Sequence, residues 1–102
     1  MALVNGGKLI EKVFSKEGVK YIFGLPGGHI YPMVEACNEV GIEFIGVRNE
    51  MNAAFMAEGW AFATGKPGVC TGTAGPGATN MVTGVANAYC NQAPMICVGG
   101  KA

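Results

Sequence analysis

The sequence predicts an α/β domain: a doubly wound, mostly parallel sheet with helices on both faces, incomplete at its C-terminus. Three observations lead there. Short apolar runs of strand length alternate with stretches of helical periodicity, the connections are only a few residues long, and glycine or proline punctuates nearly every boundary. Crossovers between parallel strands are almost always right-handed, which limits such an order to an open layered sheet.

The elements follow in turn. Asn5 caps a first helix whose apolar Leu9, Ile10, Val13 and Phe14 keep helical spacing, and Gly18 closes it. Residues 19–23 read as a short buried strand, stopped by Gly24 and Pro26. A helix over 30–40 ends at Gly41, and 43–47 is the next strand, also read as buried. An Ala-rich helix over 51–64 closes at Gly65-Lys66-Pro67, before a third strand over 68–73. The turn Ala74-Gly75-Pro76-Gly77 leads into a helix over 78–91, and 95–98 forms a last strand after Pro94. No helix follows to cover that side, so the domain reads as cut short.

Composition narrows the function. Half of the 102 residues are hydrophobic and only 14% are charged, so the elements must be mostly buried or must face a partner. Net charge is zero and no basic stripe exists, which argues against nucleic acid. No apolar run approaches the roughly 20 residues that span a bilayer, and the opening MALVNGGKLIEKVF lacks the features of a secretory leader. All seven acids are Glu, so the Asp that usually holds Mg²⁺ is missing. Cys37, Cys70, Cys90 and Cys97 have no CxxC spacing and lie in apolar patterns. They read as reduced, buried thiols of a cytoplasmic protein, and no metal site is expected.

In parallel α/β sheets ligands bind beyond the carboxyl ends of the strands. That draws three stretches to one edge: residues 24–29, residues 48–50 and residues 73–80. Taken singly, each has a plain structural reading. Glu50 is a carboxylate in a first helical turn, where the dipole favours it. The turn around Thr73, Gly75, Pro76 and Gly77 could receive an anion on its amides, but it matches no nucleotide motif and reads better as a tight connection. His29 suits capping or packing as well as proton transfer, and Arg48 suits an ion pair as well as a substrate. Glu58, two turns beyond Glu50, is expected to pack or pair.

The ordered set is more specific than its parts. GLPGGHIYP, then RNE before AAFMAEGWAFATGKPGV, then GTAGPGATN with N-A-Y and P-M-I, resembles the N-terminal, pyrimidine-binding domain of thiamine-diphosphate enzymes. The resemblance spans residues 1–102 and is nearest to the acetolactate synthase and benzaldehyde lyase group. It implies part of a 2-oxo-acid decarboxylase or carboligase that binds thiamine diphosphate. In that family the residue matching Glu50 bonds N1′ of the aminopyrimidine. A carboxyl in an apolar pocket can share its proton with that nitrogen. The ring then shifts to its imino form and removes the thiazolium C2 proton, and the ylide attacks a 2-oxo acid or an aldehyde.

The same resemblance implies that His29 faces the substrate as a second catalytic residue. Pro26, Gly27, Gly28, Thr73, Gly75, Pro76, Gly77 and Asn80 would form the cofactor pocket. Asn49 stands where relatives often carry His, and Lys101 where they often carry Gln. Mg²⁺ would be held by a diphosphate-binding domain in a missing C-terminal part or a separate chain, and FAD is left open as a further cofactor. A homo-oligomer, dimer or tetramer, is implied for the complete enzyme. The alternative is a truncated, non-catalytic interaction module that pairs with another chain.

Overall fold

The computed structural model describes residues 4–102; the first three residues of the stretch read for a leader lie outside the described residues. The elements run α1 (Gly6–Lys16), β1 (Tyr21–Gly24), α2 (Tyr31–Val40), β2 (Glu43–Gly46), α3 (Glu50–Thr64), β3 (Gly68–Gly72), α4 (Pro76–Thr79), α5 (Val82–Cys90) and β4 (Met95–Gly99). The expected punctuation operates. Asn5 Oδ1 accepts from the Lys8 amide at 2.8 Å, and Gly41 and Gly65 close α2 and α3 at φ of 78° and 72°. Two boundaries differ from expectation. The Val19 amide bonds back to Phe14 O as part of the α1 stop, so β1 begins only at Tyr21. The helix expected over 78–91 is two, because the Met81 amide bonds Ala78 O only three residues back and tightens the turn there.

The four strands form one parallel sheet in the order β2-β1-β3-β4. Successive residues of a strand face opposite ways, and the cores divide accordingly. Ile22 and Val69 join Cys37, Ile42 and Phe14 under α1 and α2, whereas Phe23 and Cys70 join Ala53, Ala54, Ala57 and Met81 under α3 and α5. Helices thus cover both faces. The chain leaves β1 toward one side of the sheet and β3 toward the other, so the order reverses between these two neighbours. That is where an open parallel sheet has its ligand crevice.

Burial corrects three expectations. β2 is an edge strand and only half buried, since it has one neighbour where β1 has two. Cys90 and Cys97 are exposed, one on the last residue of α5 and the other on edge strand β4, whereas Cys37 and Cys70 are buried; all four are free thiols. Cys70 and Cys97 face each other in register, and their thiols perturb one another: the hydrogen bond from Cys70 brings Cys97 down to about 7 and pushes Cys70 up.

The third concerns α1. Leu9, Ile10 and Val13 are 52%, 38% and 58% exposed, while Glu11 is fully enclosed. A Cβ on Gly7 would lie 2.4 Å from Met33 N, so α1 and α2 touch backbone to backbone there. That contact sets the rotation of α1 and turns the row of Gly7, Glu11 and Phe14 inward. Cys37 Sγ donates to Glu11 Oε2 at 3.4 Å, and Oε1 has no partner among the described residues. Burial pushes the Glu11 carboxyl above its ordinary value, with the Cys37 hydrogen bond opposing, and burial together with the Glu11 charge raises the Cys37 thiol to about 12.

Glu11→Met is therefore expected to stabilise the fold at neutral pH by about 1–3 kcal/mol, the cost of an unsatisfied buried polar group. The folded carboxyl holds its proton more tightly than the unfolded one, so the parent loses stability as pH rises through and above 4.5. The variant lacks that loss, and the gap should narrow below pH 4.5. Urea midpoints at the two pH values check this. A variant weaker than the parent at neutral pH would contradict it.

Candidate functional site

The carboxyl ends of β1, β2 and β3 bring the expected stretches together. Asn49 caps α3, its Oδ1 accepting from the Met51 amide at 2.9 Å, so Glu50 begins the helix and points inward. Its side chain is only 5% exposed. Asn80, from the break between α4 and α5, donates through Nδ2 to Glu50 Oε1 at 3.1 Å. The floor beneath the carboxylate is bare backbone. A Cβ on Gly72 would sit 2.6 Å from Gly77 O and 3.2 Å from Glu50 Cγ, and one on Gly77 would sit 3.3 Å from Glu50 Oε2. Two missing side chains therefore let the turn close over this acid. Oε1 is held, while no hydrogen bond to Oε2 is made among the described residues.

A second group adjoins the first through Thr73. The His29 amide donates to Thr73 Oγ1 at 3.2 Å, and His29 Nδ1 lies 3.3 Å from the same oxygen. Gly27 is pressed on Thr73, where a Cβ would fall 2.5 Å from Thr73 Cβ. The His29 ring is exposed, and Nε2 has no protein partner among the described residues. Pro26, Gly28, Gly75 and Pro76 are exposed on the rim, and Gly28 faces open space.

Gly72 opens the glycine-rich turn read from the sequence, whereas Gly100 was not singled out, and both matter. The Gly100 amide donates to Gly72 O at 3.0 Å, and a Cβ there would lie 2.8 Å from His29 Cβ. For Gly100 the signal was a glycine pair at the close of β4, which also occurs in ordinary turns.

The remaining candidates separate. In the turn after β3, Ala78 and Thr79 both donate to Gly75 O at 3.0 Å, and Asn80 to Pro76 O at 2.9 Å, so these three amides are engaged within the turn itself. Arg48 is exposed and makes no ion pair among the described residues. Glu58 is 7% exposed and fully occupied, accepting from Asn87 Nδ2 at 2.6 Å and Asn91 Nδ2 at 3.2 Å. It locks α3 to α5, as its pairing role required. A hollow of about 610 Å³ lies at the opposite end of the sheet, between Lys20, Tyr21, Trp60 and Pro67. It contains none of the grouped polar residues, so the cluster around Glu50 is the better chemical site.

Among the described residues no three His, Cys, Asp or Glu side chains could hold a metal together. No described helix is long and apolar enough to cross a membrane.

Residues 4–102 match the family model described as thiamine pyrophosphate enzyme, N-terminal TPP binding domain. The chain is 45% identical over 98 residues to a probable acetolactate synthase large subunit of Methanocaldococcus jannaschii, covering 96% of this chain and 17% of that protein. It is 42% identical over 99 residues to an acetolactate synthase large subunit of Mycobacterium tuberculosis, covering 97% and 18%. A 2-hydroxyacyl-CoA lyase 2 of Danio rerio is 43% identical over 98 residues, covering 96% and 16%. The chain thus spans less than a fifth of the length of these relatives.

Proposed function

The chain belongs to the thiamine pyrophosphate enzyme family, within its N-terminal TPP binding domain, and from that premise we propose that it supplies the aminopyrimidine-facing half of a thiamine-diphosphate site. The observation that carries the reading is the pose of Glu50. One oxygen is held by Asn80, the other has no partner among the described residues, and the wall beside it is stripped to glycine backbone. A flat nitrogen heterocycle could approach such an acid edge-on, and the donor set fits the group.

When bound, thiamine diphosphate supplies the carbon nucleophile and electron sink for decarboxylating or joining 2-oxo acids. The residues of this chain hold and orient. Glu50 Oε2 would carry the proton shared with ring nitrogen N1′, and Asn80 would fix the carboxyl in plane. The near-complete burial of Glu50 limits the water that would otherwise compete for that proton. His29, anchored through Thr73, would present Nε2 to the substrate. An acetolactate-synthase-like carboligation is the reaction favoured by the relatives' names. Mg²⁺ would sit with the diphosphate, on residues beyond this chain.

The experiment is Glu50→Gln in the complete enzyme, read by exchange of the cofactor's C2 proton with solvent. Undiminished exchange overturns the proposal.

A second reading, a non-catalytic pairing module, is favoured by one observation. Phe55, Met56, Phe62, Val82 and Tyr89 are exposed on α3 and α5, and no charged residue occurs between Lys66 and Lys101. A face that large and uncharged suits a partner rather than water. Under this reading the lone chain should elute from size exclusion as a dimer or larger. A stable monomer at all concentrations would remove it.

A further inference from the structure

Thr73 and His29 meet twice through a single oxygen. The His29 amide donates to Thr73 Oγ1 at 3.2 Å, and Nδ1 of the same residue lies 3.3 Å from it, although the two residues stand 44 apart in sequence. The sheet explains the meeting. Gly24 of β1 is paired in register with Thr71 of β3, so the segments that leave these two inner strands start side by side. Gly27 then lets them close, since a Cβ there would lie 2.5 Å from Thr73 Cβ and 2.9 Å from Oγ1.

A hydroxyl carries one hydrogen and two lone pairs, and a neutral imidazole has one nitrogen that donates and one that accepts. Oγ1 spends a lone pair on the His29 amide. Among the described residues its own hydrogen meets one acceptor, Nδ1 of His29. The reverse arrangement, with Nδ1–H donating, would crowd two donors on Oγ1 and turn the hydroxyl hydrogen to solvent. Which ring nitrogen carries the proton is set by the bond that the other one makes. A hydroxyl donating to Nδ1 leaves the proton on Nε2.

We propose that Thr73 is a positioning residue that holds neutral His29 as the Nε2–H tautomer, so that the ring donates a hydrogen bond to an oxygen of a carbonyl substrate rather than acting as a base. The inference rests on the reading that His29 faces the substrate. It adds which hydrogen the ring offers and what fixes it there. A donor at this position suits the carbonyl oxygen of a 2-oxo acid or an aldehyde, where negative charge grows as the neighbouring carbon is attacked. The proton stays on the ring throughout.

The test labels the complete enzyme with ¹⁵N at histidine Nδ1 and reads it by solid-state NMR at about pH 9, well above the ordinary imidazole value of about 6.5. The His29 line is assigned by its absence from His29→Gln. In the parent it should lie far downfield, where an unprotonated ring nitrogen resonates. Thr73→Val keeps the shape of the side chain and removes the hydroxyl, so the line should move toward the protonated position. Thr73→Ser should return it. With pyruvate as the 2-oxo acid probe, kcat should fall about two- to tenfold in Thr73→Val and recover in Thr73→Ser, the worth of one neutral hydrogen bond. Circular dichroism checks the fold of each variant, and loss of packing alone would not bring the proton to Nδ1.

A protonated Nδ1 in the parent overturns the proposal without any variant. So does a parent-like line in Thr73→Val, and so does a moved line with unchanged kcat. The Glu50 reading fails separately, through undiminished C2 exchange in Glu50→Gln, a variant in which the His29 line should stay in place.

Discussion

Glu50→Gln in the complete enzyme is expected to slow exchange of the cofactor's C2 proton by about 10²–10⁴-fold, the usual contribution of one positioned acid or base. Glutamine keeps the length of the side chain and an Oε1 for the Asn80 amide, so the contact at 3.1 Å can survive. What it lacks is an exchangeable acid proton at the position of Oε2. The fold should change little, because only the helix-dipole benefit of a first-turn carboxylate is lost, about 0.3–1 kcal/mol. Activity and stability should therefore separate in this variant. A large fall in the urea midpoint alongside the lost exchange would make Glu50 a structural residue instead.

Gly68→Ala is expected to cost about 3 kcal/mol or more, at or above the upper end for overpacking and a large part of the 5–15 kcal/mol that holds a small domain together. Its Cβ would lie 2.0 Å from Ala57 O, 2.6 Å from Ala57 C and 2.8 Å from Ala57 Cα. These are backbone atoms of α3 and cannot rotate away. The helix would have to lift from β3, and Ala53, Ala54, Ala57 and Ala61, now at most 3% exposed, would lose their contacts. Gly59→Ala provides the contrast. It lies mid-helix in α3 with nothing within 4 Å of its would-be Cβ, and it should gain about 0.5–1 kcal/mol from helix propensity. Urea midpoints of opposite sign test both statements, and a tolerated Gly68→Ala would show that α3 does not rest on this contact.

These two variants also mark how legible the chain was. Asn5, Gly41 and Gly65 announced their helix ends correctly because caps act within one turn. The alternation of strand and helix gave the parallel α/β class for the same reason, each element being declared by its own periodicity. The carboxyl ends of parallel strands then marked one edge of the sheet for Glu50, His29 and the turn after β3, where the chain brings them. Nothing local could announce that Asn80 would reach Glu50 across thirty residues, since that contact needs the break between α4 and α5 and the closeness of Gly72 to Gly77.

What the sequence determined by itself was the order of the elements, their stops and the edge on which the candidate residues gather, all of which follow from short-range periodicity and backbone preference. Tertiary structure alone decided which side of each element faces inward. The apolar spacing of Leu9, Ile10 and Val13 suggested one buried face for α1, but the close approach at Gly7 turned Glu11 inward instead. The apolar run of β4 suggested buried thiols, but an edge strand has only one neighbour, and Cys97 is left open beside Cys70. Rotation about a helix axis and position within a sheet are settled by contacts between segments far apart in the chain, and neither is written in any local run of residues.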